Sequence, residues 1–234
     1  MIKAVIFDLD DTLISEYDFV MSGYRYMSSL LTERLGMESD AIYEKLRELS
    51  KTTYSRAFDR LFESCGKSCD PEEMAGYIDA YRNHPAKVSF YPDVLPAIKE
   101  LRSMGLKLGI ISDGEPGRQR NKLRAAKGLN LFDEIVLNDE VGGIECRKPC
   151  PRGFEVMASR LGIEPSRMIY VGDNPSKDFH ISADLGVATL RIKREKGIYL
   201  DREYLDGIRE TAAIDSLLDI PKLLSKGFPA SQPL

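Results

Sequence analysis

Val5-Ile6-Phe7-Asp8-Leu9-Asp10-Asp11-Thr12-Leu13 is the stretch from which the fold is read. Ala4 to Phe7 is an uninterrupted apolar run, the pattern of a strand covered on both faces in a parallel sheet. It stops abruptly in three carboxylates, Asp8, Asp10 and Asp11, followed by Thr12. Open α/β sheets hold ligands at the carboxyl ends of their strands, so these acids are expected at a ligand site. Asp8 and Asp10 stand two apart and would point the same way if the chain stayed extended. Such a cluster repels itself unless a cation or protons compensate. The plain alternative is an acidic turn that merely ends a strand, and the rest of the chain has to decide.

Beyond this strand, placed at residues 2–8, the pattern changes. Val20, Tyr24, Met27, Leu30, Leu31 and Leu35 recur at helical spacing, with Gly36 as a stop. A second helix is predicted from Ser39 to Ser50, capped by Ser39 or Asp40, and a third from Thr52 to Cys65. A fourth starts at Asp70-Pro71-Glu72-Glu73, a cap, a first-turn proline and two acids at the positive helix end. From Asp93 onward strands and helices alternate. Strands are expected at 106–111, 134–137, 168–171, 187–190 and 211–214, with helices at 95–103, 116–127, 151–161, 175–186 and 215–226. Residues 191–210 read as a charged surface excursion and 228–234 as a frayed tail. The fold class is therefore α/β, a doubly wound parallel sheet with a small helical domain inserted after its first strand. The boundaries are 1–15 and 88–234 for the core and 16–87 for the insertion.

Composition narrows the function classes. The chain has 234 residues with net charge −4, so no broad basic surface for nucleic acid or anionic membrane is expected. No apolar run approaches the roughly 20 residues of a membrane span, and the start leads straight into a strand, so a cytoplasmic location is expected. Four cysteines fall in two pairs, Cys65/Cys69 and Cys146/Cys150. Their spacing is less typical of zinc than a two-residue gap, and no histidine lies close, so they read as free thiols.

Three further stretches follow core strands. Ser112-Asp113-Gly114 offers a hydroxyl, a turn glycine and the start of a helix, which suits a phosphate. Asp113 is then expected to face away from the anion. Lys148 sits between Pro149 and Arg147 in Cys146-Arg147-Lys148-Pro149-Cys150-Pro151, where the prolines stiffen the chain, and Arg147 competes for the same role. Gly172-Asp173-Asn174-Pro175-Ser176-Lys177-Asp178 ends another core strand in an acid, with a second acid five residues on, in the first turn of the helix expected there. Hard oxygen ligands with few His or Cys select magnesium over zinc.

In this order the four stretches resemble the motifs of the haloacid dehalogenase (HAD) superfamily, over most of the chain. The resemblance implies a Rossmannoid core with a mobile helical cap, and a magnesium-dependent phosphomonoesterase working through an aspartyl-phosphate. Asp8 would be the nucleophile, and Asp10 the general acid and then base, its carbonyl also on the metal. Ser112, with the Asp113 and Gly114 segment, and Lys148 would hold the phosphoryl group. Asp8, Asp10, Asp173 and Asp178 would form the metal site, Asp178 directly or through Lys148 or a bound water. The dehalogenase branch lacks the second Asp, so Asp10 favours phosphoryl transfer. The family commonly has Asn where Asp113 stands, which leaves the role of that position open. Substrates expected are sugar phosphates or nucleotides, with Tyr17, Tyr24, Arg25, Tyr26 and Arg56 of the insertion as candidate specificity residues. The protein is expected as a monomer or homodimer. A phosphosugar mutase shares every catalytic residue named. A non-catalytic binding protein on the same fold is the reading from another class.

Overall fold

The apolar run at the start forms strand β1, Ala4–Phe7, with every residue buried. It is shorter than expected at both ends, so Asp8 lies just past the strand, although its N–H still continues the ladder to the Val171 carbonyl at 2.8 Å. The structure is a computed structural model and describes residues 1–227. The tail expected over 228–234 lies outside the described residues.

Two units are distinguished, Met1–Glu16 with Ser89–Leu234, and Tyr17–Val88. The second is helical: α1 (Glu16–Leu30), α2 (Thr32–Leu35), α3 (Ser39–Ser50), α4 (Ala57–Ser64) and α5 (Pro71–Arg82). Its own core holds Met27, Leu31, Ile42, Leu46, Leu61 and Phe62. The single helix expected up to Leu35 is broken at Leu31. There the hydroxyls of Ser28, Ser29 and Thr32 bond the carbonyls of Tyr24, Arg25 and Ser29 and compete with the helix ladder. Gly36 ends the second piece in the left-handed conformation, as its position suggested. Neither Ser39 nor Asp40 caps α3, because Asp40 is taken by Arg25 at 2.5 Å and Ser39 by Ser29. The third helix starts only at Ala57. Arg60 reaches back to the Leu49 and Thr53 carbonyls and holds residues 51–56 in turns. Asp70 does cap α5, accepting from the Glu73 N–H at 2.8 Å.

In the other unit the chain continues as α6 (Val94–Ser103), β2 (Lys107–Ser112), α7 (Pro116–Ala125), β3 (Glu134–Leu137), α8 (Asn138–Gly142), α9 (Arg152–Leu161), β4 (Met168–Gly172), α10 (Ile181–Leu185), β5 (Ala188–Ile192), β6 (Ala212–Ile214) and α11 (Asp219–Ser225). All strand pairs are parallel, in the order β3-β2-β1-β4-β5-β6. The order reverses beside β1, which places the ends of β1, β2 and β4 next to one another at the crevice where such sheets bind ligands. Helices α9 and α10 cover the face carrying Ala4, Ile6 and Tyr170, and α6 packs on β2 and α11. Among the described residues no helix is long and apolar enough to cross a membrane.

Residues 138–146, which carry no element in the sequence reading, form α8 and a 3-10 turn. Two expectations change here. The helix predicted over 175–186 is reduced to Ile181–Leu185, because the Asn174 and Asp178 side chains bond the backbone of residues 174–176 and hold it in turns. Asp178 therefore stands in a turn and not in a helix. The excursion after β5 is not wholly solvated either: Arg191 and Arg194 are buried. Arg191 gathers it in by donating to the Tyr204 hydroxyl and to the Tyr199 and Leu200 carbonyls. Arg194 donates to the Thr12 carbonyl at 2.7 Å and to both oxygens of Asp93, which also accepts from the Leu217 N–H. One ion pair thus fixes the loop after β1, the start of α6 and the approach to α11.

Breaking that pair by Asp93→Asn is expected to cost about 3 kcal/mol, since it strands a buried guanidinium. A urea unfolding midpoint checks it. Burial alone would raise the Asp93 pKa, but Arg194 and the Leu217 N–H outweigh it and hold it below its usual 3.8. The pair's contribution is therefore complete above that value and is lost as the pH falls below it.

Candidate active site

The end of β1 carries Asp8, with 4 % of its surface exposed. Lys148, whose side chain is fully buried, donates to Asp8 Oδ1 at 2.8 Å and to the Tyr170 hydroxyl at 2.5 Å, and pairs with Asp178 Oδ1 at 2.9 Å. A buried ammonium is tolerable only when so partnered. Burial would lower the Lys148 pKa, but Asp178 and Asp8 together hold it well above its usual value. Burial raises Asp8, Lys148 opposes that, Asp178 adds to it, and the balance stands at about 6. Arg147 does not compete. It pairs with Asp139 at 2.6 and 2.7 Å with its side chain half exposed.

Asp173 follows β4 and Asp178 lies five residues on. Carboxylate oxygens of Asp8, Asp173 and Asp178 lie within 4.8 Å of one another, all three residues buried. Gly172 makes this possible: a Cβ there would stand 2.4 Å from Asp178 Oδ2. Asp173 Oδ2 is buried with no hydrogen-bond partner. Burial first, then the charges of Asp178 and Asp8, push the Asp173 pKa far up. Three converging carboxylates, one with an orphaned oxygen, fit a hard divalent cation held by oxygen ligands. The four cysteines are free, and among the described residues this is the one acidic, His or Cys cluster suited to a metal.

The Asp10 carboxylate is not part of that cluster; only its carbonyl was expected on the metal. Its Oδ1 accepts from Lys122 at 2.5 Å and its Oδ2 from Gln119 at 2.7 Å, both on α7. Burial would raise its pKa, but Lys122 and Arg118 bring it down to about 2. Lys122 also donates to Glu16. Asp11, in the left-handed conformation with φ 49, accepts from the Glu16 N–H at 3.0 Å and so shapes the turn.

Ser112 is buried at the end of β2, its hydroxyl accepting from Gln119 at 2.7 Å. Two expectations for this loop are corrected. The start of α7 is not free to take a phosphate, because Glu115 accepts from the Gly117 and Arg118 N–H groups, and the Gly114 N–H faces Asp139 at 3.4 Å. Asp113 does not face out. It accepts from Asn138 at 2.7 Å, Lys177 at 2.8 Å and the Lys148 N–H at 3.1 Å. Burial would raise its pKa, but Lys148 and Lys177 hold it at about 2. It works as an anchor that fixes the Lys148 segment to the β2 end. In the helical unit Tyr24 is a core residue bonded to Ser50 at 2.6 Å, Arg25 is held by Asp40 and Arg56 by Glu63.

Lys122, Gln119, Glu16, Tyr170 and Lys177 were missed. One signal was available for the first two: Pro116–Ala125 carries Leu123 as its one large apolar residue, so the buried face of α7 had to include polar side chains.

Sheet order and an acid–lysine cluster at adjacent strand ends define a Rossmannoid α/β enzyme core. The sequence profile of the haloacid dehalogenase-like hydrolases matches residues 5–192. The chain is similar to glyceraldehyde 3-phosphate phosphatases of Methanopyrus kandleri, 36% identical with 87% of this chain and 88% of that protein covered, and of Methanocaldococcus jannaschii, 32% identical with 97% and 100% covered. Among solved structures it resembles a HAD phosphatase from Thermococcus onnurineus, with TM-score 0.63, 28% identity, and 98% of this chain and 100% of that one covered. The chain belongs to the haloacid dehalogenase-like hydrolases and is a phosphatase of that family.

Proposed function

We propose that the protein is a magnesium-dependent phosphomonoesterase that transfers the phosphoryl group of a small phosphorylated metabolite to Asp8 and then to water. The observation that carries this reading is the buried Lys148 bonded to Asp8 within the three-carboxylate cluster. Asp8, Asp173 and Asp178, with the Asp10 carbonyl, would hold the cation. When bound, it supplies positive charge that lets an anionic nucleophile approach an anionic phosphate.

In the first step an Asp8 oxygen forms a bond to phosphorus while the bond to the leaving oxygen breaks, and the Asp10 carboxyl gives that oxygen its proton. In the second, water bonds to phosphorus, its proton passes to Asp10 and the Asp8–phosphorus bond breaks. Lys148 keeps Asp8 oriented and offsets charge on the transferred group, and Ser112 at the end of β2 would add a hydroxyl donor. Asp113 holds the Lys148 backbone in place. The names of the archaeal relatives make glyceraldehyde 3-phosphate the first substrate to test. The helical unit, Tyr17–Val88, would be the part of the chain that selects among substrates.

Phosphate release should be measured on glyceraldehyde 3-phosphate, phosphoglycolate, phosphoserine and nucleoside monophosphates with magnesium, then after chelation. Release from at least one three-carbon or two-carbon phosphate is expected, falling at least about 100-fold on chelation and returning with magnesium. Release that ignores the chelator, or none from any substrate, contradicts the reading.

A further inference from the structure

The ammonium of Lys122 lies between two carboxylates of different chain segments. It donates to Asp10 Oδ1 at 2.5 Å and to Glu16, with its own side chain fully buried and those of Asp10 and Glu16 25 % and 17 % exposed. Gln119, one helical turn before it on α7, donates to Asp10 Oδ2 and to Ser112 Oγ, both at 2.7 Å. Asp10 is thus gripped on both oxygens by α7. Glu16 is placed by its own N–H bonded to Asp11.

We infer that Lys122 and Glu16 are a positioning pair for Asp10: Lys122 holds its carboxylate in register, and Glu16 keeps that ammonium partnered when Asp10 turns to the leaving oxygen. The inference rests on the acid–base role proposed for Asp10. The clamp holds the Asp10 carboxylate in one orientation as it takes a proton from water. That same proton goes to the leaving alkoxide of the next turnover, and the loaded, neutral carboxyl then no longer pairs with the ammonium. A fully buried ammonium abandoned by its only anion would be costly. With two anions sharing it, one can leave while the other stays. Lys122 acts by holding Asp10, and Glu16 acts through Lys122.

The test is rapid-quench measurement of phosphoenzyme formation, with kcat and KM, in the parent, Lys122→Met and Glu16→Gln, using magnesium. An alkyl phosphate needs its leaving group protonated and an aryl phosphate does not. Lys122→Met is expected to slow transfer from the alkyl phosphate about 100-fold, with KM changed less than about 3-fold and transfer from p-nitrophenyl phosphate changed far less. Glu16→Gln keeps shape and hydrogen bonding, so it guards against a folding failure of the lysine variant. It removes the Glu16 charge from beside Lys122 and is expected to slow alkyl transfer about 10-fold, again with KM held. Equal losses on both phosphates, a change confined to KM, or parent-like rates in Glu16→Gln overturn the inference. A parent that forms no phosphoenzyme overturns the proposed function itself, which separates the two failures.

Discussion

Asp8→Asn is expected to reduce phosphate release by at least about 10⁴-fold while the protein stays folded, because the substitution removes the nucleophile and leaves its surroundings in place. The amide has nearly the same shape as the carboxylate, and its oxygen can still accept from Lys148, which now donates to Asp8 at 2.8 Å. Two effects act on stability in opposite senses. Lys148 loses one of its two anionic partners, which destabilises. Asp173 and Asp178 lose a neighbouring like charge, which stabilises, since Asp8 is among the charges that raise Asp173. The thermal midpoint is therefore expected to move little while kcat collapses. A variant that kept more than about a hundredth of parent activity would point to attack by water assisted by other groups. Steady-state phosphate release and a thermal melt on the same preparation separate the two readings.

Lys148→Met is expected to lose activity by about 10³-fold and stability as well. Methionine fills much the same volume but takes away the cation at the centre of the site. The effect on the nucleophile has a definite sign. Lys148 is the largest influence opposing the burial that raises Asp8, whose pKa already stands at about 6. Without it the Asp8 pKa rises further, so at neutral pH more of the enzyme carries a protonated carboxyl that cannot attack. The activity profile of any residual enzyme should accordingly shift to higher pH. Removing one partner of a buried ion pair costs about 3–5 kcal/mol, and Asp178, fully buried against the same ammonium, feels the loss directly. Arg147 cannot take over, because Asp139 holds it on both guanidinium arms. Full activity in Lys148→Met, or a loss confined to stability with kcat kept, would remove this lysine from the proposed chemistry.

The fold was legible because its strands are buried on both faces and write themselves as apolar runs. Ala4–Phe7 and Met168–Gly172 needed no partner to be recognised, and each ended in the acids that the sheet then brought together. Segments whose shape depends on side chains bonding backbone were not legible. The turns at 174–180 exist because Asn174 and Asp178 hold them, and the break at Leu31 because hydroxyls take helix carbonyls. Apolar periodicity carries no trace of either.

The candidate site divides along the same line. Residues at strand ends could be placed from the chain alone. Those whose role is to hold another side chain could not, because the partner is distant in sequence: Lys122 is 112 residues from Asp10, and Asn138 is 25 from Asp113. Asp113 departs from the expected orientation for a physical reason. An anion alone would turn it away, while the donors that face it, Lys177 and the Lys148 segment, come from other loops of the chain.

The most direct test of the central claim is to mix enzyme, magnesium and a phosphomonoester substrate, quench in acid within milliseconds, and map the phosphorylated peptide by mass spectrometry. The account predicts one phosphoryl group on Asp8 that forms before product release and disappears on chase. A competent enzyme that never carries phosphate, or carries it on a residue other than Asp8, would contradict it.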